Sequence, residues 1–164
     1  MAASAIAAMA MMSLGALGGA LVLLTGTEAT IAATYRDSVQ AQHAAEALLE
    51  ATLLELAEAD WTAVAAGVER GTAGSAPPFV LEAEDGGWQL YANGSLPELV
   101  PGADAGGAIS HIYGVVWVQE EQPAAEMLRL RAAAYGLRRV RRTVEVAIAR
   151  GDEGIRVLWW GEAN

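Results

Sequence analysis

The sequence predicts an α+β fold in which a long N-terminal helix packs on an antiparallel β-sheet. Three observations carry that expectation. An uncharged apolar run passes without proline or turn into an acidic segment of helical period, and glycines and prolines then interrupt the chain. Beyond them the apolar residues recur with a period of two, in short runs whose connections are too short for helical crossovers. The expected organisation is residues 1–27 as the transmembrane half of the helix, 28–70 as its amphipathic continuation, and 71–164 as the sheet domain, with 71–78 as a linker.

Residues 5–24 (AIAAMAMMSLGALGGALVLL) form an apolar run that, at about 1.5 Å per residue, spans the roughly 30 Å hydrocarbon core of a bilayer. We read it as a membrane anchor in preference to a cleaved secretory signal, because a basic n-region is missing and no loop follows. Gly15 and Gly19 form a GxxxG spacing, with Gly18 adjacent and Ser4, Ala8 and Met12 up the same side, which lets a second helix approach closely. The competing reading is that an Ala/Gly-rich anchor produces such spacings by chance. Past Leu24 the helical period continues: Ile31, Tyr35 and Val39, then Leu49, Leu53 and Leu56 form an apolar stripe, opposite Glu46, Glu50 and Glu58. One helix is expected from Ala5 to Ala66, since the first proline is Pro77. The apolar positions do not hold an a/d heptad, which argues against a coiled coil.

Gly67, Gly71 and the stretch GTAGSAPP (71–78) end the helix. Residues 79–85 and 88–93 read as a hairpin around Gly86 and Gly87. A Pro-containing loop (95–107) leads to a strand over 109–119, followed by strands over 127–133 and 140–148, a GDEG turn, and a last strand over 155–160. Alternation places Val140, Val144, Val146 and Ile148 on one face, and Arg141, Thr143, Glu145 and Ala147 on the other. One sheet face is expected to pack on Leu49, Leu53 and Leu56, giving the acidic helix its partner.

Composition narrows the chemistry. The net charge is −10 and every basic residue is arginine, so the overall field repels nucleic acid and anionic lipid. Cysteine is absent, which removes disulfides, zinc–thiolate sites and thiol nucleophiles. Arg129, Arg131, Arg138, Arg139, Arg141 and Arg142 form a local exception, a candidate patch for DNA phosphate or another anionic partner; the alternative is a solvated hairpin facing acidic helices. Arg150-Gly151-Asp152 matches an adhesion tripeptide but is also ordinary turn chemistry. His43 and His111 lie on different elements without a carboxylate cluster in sequence, and no strand–turn–helix context holds a nucleophilic serine. The chain therefore reads as non-enzymatic, with no cofactor and no metal.

A lone helix running from membrane into an antiparallel sheet resembles the type IV pilins, and the details resemble the PilX-type minor pilins. The similar elements are Glu28 closing the apolar run, TYRDS (34–38), QAQHAAEALLEA (40–51), ADWTAVAAG (59–67), and the pair LRLRAAAYG (128–136) and RRTVEVAIAR (141–150), about half of the chain. The resemblance implies a minor pilin that primes or caps a type IV pilus, or the related minor pseudopilin of a type II secretion system. A membrane-anchored extracytoplasmic binding module is the alternative from a different class. The pilin resemblance implies as partners other major and minor pilins through the N-terminal helices, the inner-membrane assembly machinery, and membrane lipid. Localisation would be a single pass through the inner membrane, then a cell-surface pilus. Pilin precursors carry a basic leader cleaved after glycine, and many mature pilins have glutamate at the fifth position, where this chain has Ala5. Met1 falls about where a mature terminus would lie, which fits either a leader already removed or a misplaced start codon. The same helix would serve as anchor before assembly and filament core afterwards, with Glu28 facing Arg36 of a neighbour or solvated at headgroup level.

Overall fold

A computed structural model describes residues 2–67, 87–101, 111–122, 126–152 and 154–163. The fold is α+β, a long N-terminal helix packed by its C-terminal part on a five-stranded antiparallel sheet. The chain divides into two compact units, Met1–Arg36 and Asp37–Asn164.

Helix α1 is Ala2–Leu56. In the first unit the described side chains from Met9 to Ala32 are all exposed, including Met11, Met12, Leu21, Leu23 and Leu24. Its hydroxyls are satisfied within the helix: Ser13, Thr25, Thr27, Thr30 and Thr34 each donate to the carbonyl four residues back, at 2.8–2.9 Å. A hydroxyl so bonded asks nothing of a solvent, which suits a lipid environment. Ile31 and Tyr35, expected in the apolar stripe, are 63% and 72% exposed.

In the second unit the buried stripe of α1 is Ala41, Ala44, Ala45, Leu48, Leu49, Thr52 and Leu56, the i, i+3, i+4, i+7 spacing of one helix face. Leu53, expected beside Leu49 and Leu56, is only partly buried at the margin of the same cluster. Each fully buried leucine contributes about 1.5–3 kcal/mol over its exposed state, and the three alanines let the helix backbone come close to the sheet.

The helix ends at Leu56, earlier than the expected Ala66, and a separate turn, α2 (Trp61–Ala65), follows. The break has a local cause. Asp60 takes an extended conformation and its side chain accepts from the Thr62 N–H at 3.0 Å, capping a new helix start. The Trp61 indole N–H donates back to the Leu56 carbonyl at 2.9 Å, and Ala59, Trp61 and Val64 reach the core, where a straight continuation would have carried them past it. Gly67, at φ +69°, ends α2 in the left-handed conformation that favours glycine.

The strands are β1 (Gln89–Ser95), β2 (Tyr113–Gln122), β3 (Met127–Tyr135), β4 (Arg141–Gly151) and β5 (Gly154–Glu162), paired antiparallel in sequence order. β1 pairs with β2, and the expected hairpin arm at 79–85 and the linker 71–78 lie outside the described residues. Within the loop expected over 95–107, Leu96–Leu99 forms a short helix, α3, and β2 starts at Tyr113, later than the expected 109. Val116, Val118, Leu128, Leu130, Ala132, Ala134, Val144, Val146 and Ile148 face the helix in one cluster with Leu48, Leu49 and Leu56. The opposite face carries Val115, Trp117 and Ala133, also buried, flanked by Trp88, Leu90, Tyr113 and Tyr135.

β5 departs from this pattern. A bulge leaves Leu158 without a partner between the pairs Ala147–Trp159 and Ile148–Val157, and residues 156–160 are all exposed.

Candidate functional site

The residues singled out in the sequence fall into two sets, one in each unit. In the apolar segment of α1, Gly15 and Gly19 lie four residues apart on one helix face. A Cβ added at Gly15, Gly18, Gly19 or Gly26 would meet nothing within 4 Å, so the surface is open to another helix. The side chains of Ser4 and Ala8, expected on this face, lie outside the described residues, and Met12 is 75% exposed. Glu28 and Arg36 are both exposed and make no ion pair with each other among the described residues. Eight helical residues separate them by about 12 Å, beyond direct contact, so any pairing of this carboxylate with an Arg36 is between chains.

The arginine-rich hairpin forms two groups rather than one patch. Arg129 and Arg131 lie on the sheet face away from the helix. Arg129 meets Glu121 at 3.4 Å, while its Nε is buried without a hydrogen-bond partner. Arg131 donates from Nε to Glu145 Oε1 at 2.5 Å, approaches the same oxygen with Nη2, and stacks over Trp88 at 4.3 Å from the ring centroid. Its charge is spent internally: side-chain exposure is 23% for Arg131 and 11% for Glu145.

The second group sits on the β3–β4 turn, where it docks on the start of the head's share of α1. Leu137–Arg139 is a short 3-10 turn in which Arg138 takes φ +56°, ψ 27°. Arg138 Nη1 lies 3.8 Å from Asp37 Oδ2, and Arg142 donates from Nε and Nη2 to Ser38 Oγ at 2.8 and 2.5 Å. Arg141 lies over Tyr135 at 5.5 Å, and the Arg139 side chain lies outside the described set. Asp37 and Ser38 belong to the TYRDS stretch. Their role as the turn's landing place had no signal in sequence, because the residues they meet are about a hundred positions away.

Other expected sites resolve into turn and surface chemistry. Arg150 and Gly151 end β4 and Asp152 lies in the turn to β5, with the Arg150 guanidinium 5.6 Å from the Trp61 centroid. His43 Nδ1 lies 3.2 Å from Glu46 Oε2 on the exposed helix surface, and His111 is exposed just before β2. A cleft of about 120 Å³ is lined by Asp60, Trp61, Thr62, Glu120, Glu126 and Arg150, among others, which is small against the roughly 300–1,000 Å³ of typical ligand pockets. Among the described residues no three His, Asp or Glu side chains are grouped to hold a metal ion.

Among the described residues two titrating groups are shifted, both near α3. The Ser95 N–H donates to Glu98 Oε2 at 2.9 Å and, with the Ser95 hydroxyl, holds the Glu98 carboxyl below its usual range. Burial pushes the Tyr113 phenol up, against the opposing effect of Asn93 Nδ2 donating to its oxygen at 2.9 Å.

Comparison with protein-family models, with curated proteins and with solved structures found no match.

Proposed function

We propose that the protein is a minor pilin, a structural subunit that primes or caps a type IV pilus after residing in the inner membrane with its head outside the cytoplasm. The observation that supports this reading is the double character of α1. Its apolar segment is long enough to cross a membrane and has no buried residue among its described side chains, while Ala41–Leu56 of the same element is one wall of the head's core. A helix with an unburied apolar half requires another apolar environment, and lipid followed by the helices of neighbouring subunits supplies it at each stage. A minor pseudopilin of a type II secretion filament uses the same geometry, so the two differ in the machinery that extracts the subunit.

The test is incorporation. In lipid, helix association depends on close backbone approach, so replacing Gly15 and Gly19 together with Ile is expected to lower recovery of the protein in sheared surface filaments. Membrane insertion and total abundance are expected to stay at the parental level. Absence of the parental protein from sheared pili and from secretion-filament preparations alike would leave the anchored binding module as the surviving reading.

A further inference from the structure

Among the described residues β5 is an edge strand, and the outward N–H and C=O groups of such a strand template another strand unless something blunts them. Charge and proline, the usual devices, are missing from 157–160: Val157, Leu158, Trp159 and Trp160 are 46%, 42%, 47% and 38% exposed. The exposure lies on both faces of the sheet. Val157 and Trp160 stand opposite Ile148 and Val146 on the helix side, and Trp159 stands opposite Ala147 on the other. A helix or a lipid surface laid on one face would leave the other bare, whereas a strand beside β5 continues both layers at once.

We propose that this strand is supplied by a second copy of the chain, with the two β5 strands antiparallel about a twofold axis between Leu158 and Trp159. The bulge makes the strand self-complementary. In a regular strand Val157 and Trp160, three residues apart, would face opposite ways; the extra residue Leu158 brings both to the helix side. Twofold pairing then sets Val157 against Trp160 of the second copy, and Leu158 against its Trp159, so the four exposed apolar side chains cover one another. Arg156 falls opposite Gly161 of the second copy. The Trp159 ring lies over that glycine, its Cζ2 only 2.7 Å from where a Cβ would stand, so the guanidinium meets an aromatic face. The head already uses that contact three times, at Arg131–Trp88, Arg141–Tyr135 and Arg150–Trp61. No carboxylate lies between Gly154 and Gly161, so the edge itself is free of the acidic repulsion that the rest of the chain carries.

The chain has no cysteine, so the register can be read by disulfide trapping in the full-length protein in detergent micelles, which do not force the two α1 helices to point the same way. Val157→Cys mixed with Trp160→Cys is expected to give a covalent dimer on mild oxidation. Each variant alone is expected to give at least about tenfold less, because like positions are offset along the strands. Adding Arg156→Glu to both chains is expected to lower the yield. A mixture that links no better than either single variant, or no better than a Glu50→Cys control on the exposed helix surface, would overturn the pairing. If circular dichroism shows that Trp160→Cys is unfolded, Leu158→Cys mixed with Trp159→Cys makes the same test at the axis. The pairing rests on the head alone, and it stands or falls separately from the pilus reading.

Discussion

Gly114 shows how little slack the core has at the level of single residues. It opens β2 directly under α1, and a Cβ there would stand 2.6 and 2.9 Å from the two methyls of Leu48 and 3.1 Å from Leu99 Cδ1. Leu48 is fully buried, so it has nowhere to retreat. Gly114 has no left-handed φ, and space rather than backbone freedom is what the position demands. Gly114→Ala is expected to destabilise the head by about 1–3 kcal/mol, read as a lower denaturation midpoint, and Leu48→Val in the same chain should recover part of that loss. An unchanged midpoint for Gly114→Ala would show that the helix lifts off the sheet at no cost. The sequence marks Gly114 only as a glycine within a strand pattern. Its neighbour lies 66 positions earlier, and only their meeting explains it. The same holds for Arg131: strand alternation puts it and Arg129 on one face, but its partners Glu145 and Trp88 emerge from the β3–β4 register and from the start of β1.

At the scale of elements, α1 and the sheet are held by a stripe of three leucines, three alanines and Thr52. Leucines at 49, 53 and 56 stand out in the sequence, yet Leu49 and Leu56 are fully buried while Leu53 is partly exposed, and Leu48 with Ala41, Ala44 and Ala45 completes the face. Alanine escapes notice as a core residue here because the chain uses it everywhere and it is equally at home on an exposed helix surface. The ordering of mutational costs follows from burial. Leu49→Ala is expected to cost about 2–5 kcal/mol, and Leu53→Ala clearly less, in equilibrium unfolding of the full chain in detergent. Equal losses at the two sites would mean that Leu53 is as deeply packed as Leu49 and that the stripe is wider than described. The end of α1 was also only half legible: Gly67 reads as a stop, but Asp60 stops the helix sooner because its side chain can cap the next turn while Trp61 folds back onto Leu56.

At the scale of the whole molecule, the two units place different demands on their surroundings. All five tryptophans, at 61, 88, 117, 159 and 160, belong to the unit Asp37–Asn164, so intrinsic fluorescence reports on the head alone. Transfer of the protein from micelles into bilayers is expected to leave its emission maximum unchanged if the head stays in water. A blue shift that disappears in the Trp159→Ala, Trp160→Ala double variant would instead place β5 against lipid. The unit Met1–Arg36 contributes no described apolar burial of its own, so within the chain its helix is held by intrahelical hydrogen bonds.

The sequence by itself determined what depends on local pattern: an uncharged run long enough to cross a bilayer, a helix continuing past it, a change of period from helix to strand, and the face on which Val144, Val146 and Ile148 lie. Chain-local periodicity carries these, because side-chain direction repeats every 3.6 residues in a helix and every two in a strand. Only the tertiary structure decided which arginines are neutralised, where α1 stops, which glycine admits Leu48, and that 157–160 remain uncovered on a sheet edge. Each of these depends on residues far apart in the chain meeting, or on a bulge shifting the alternation by one residue. Neither event leaves a mark in the local order of polar and apolar residues.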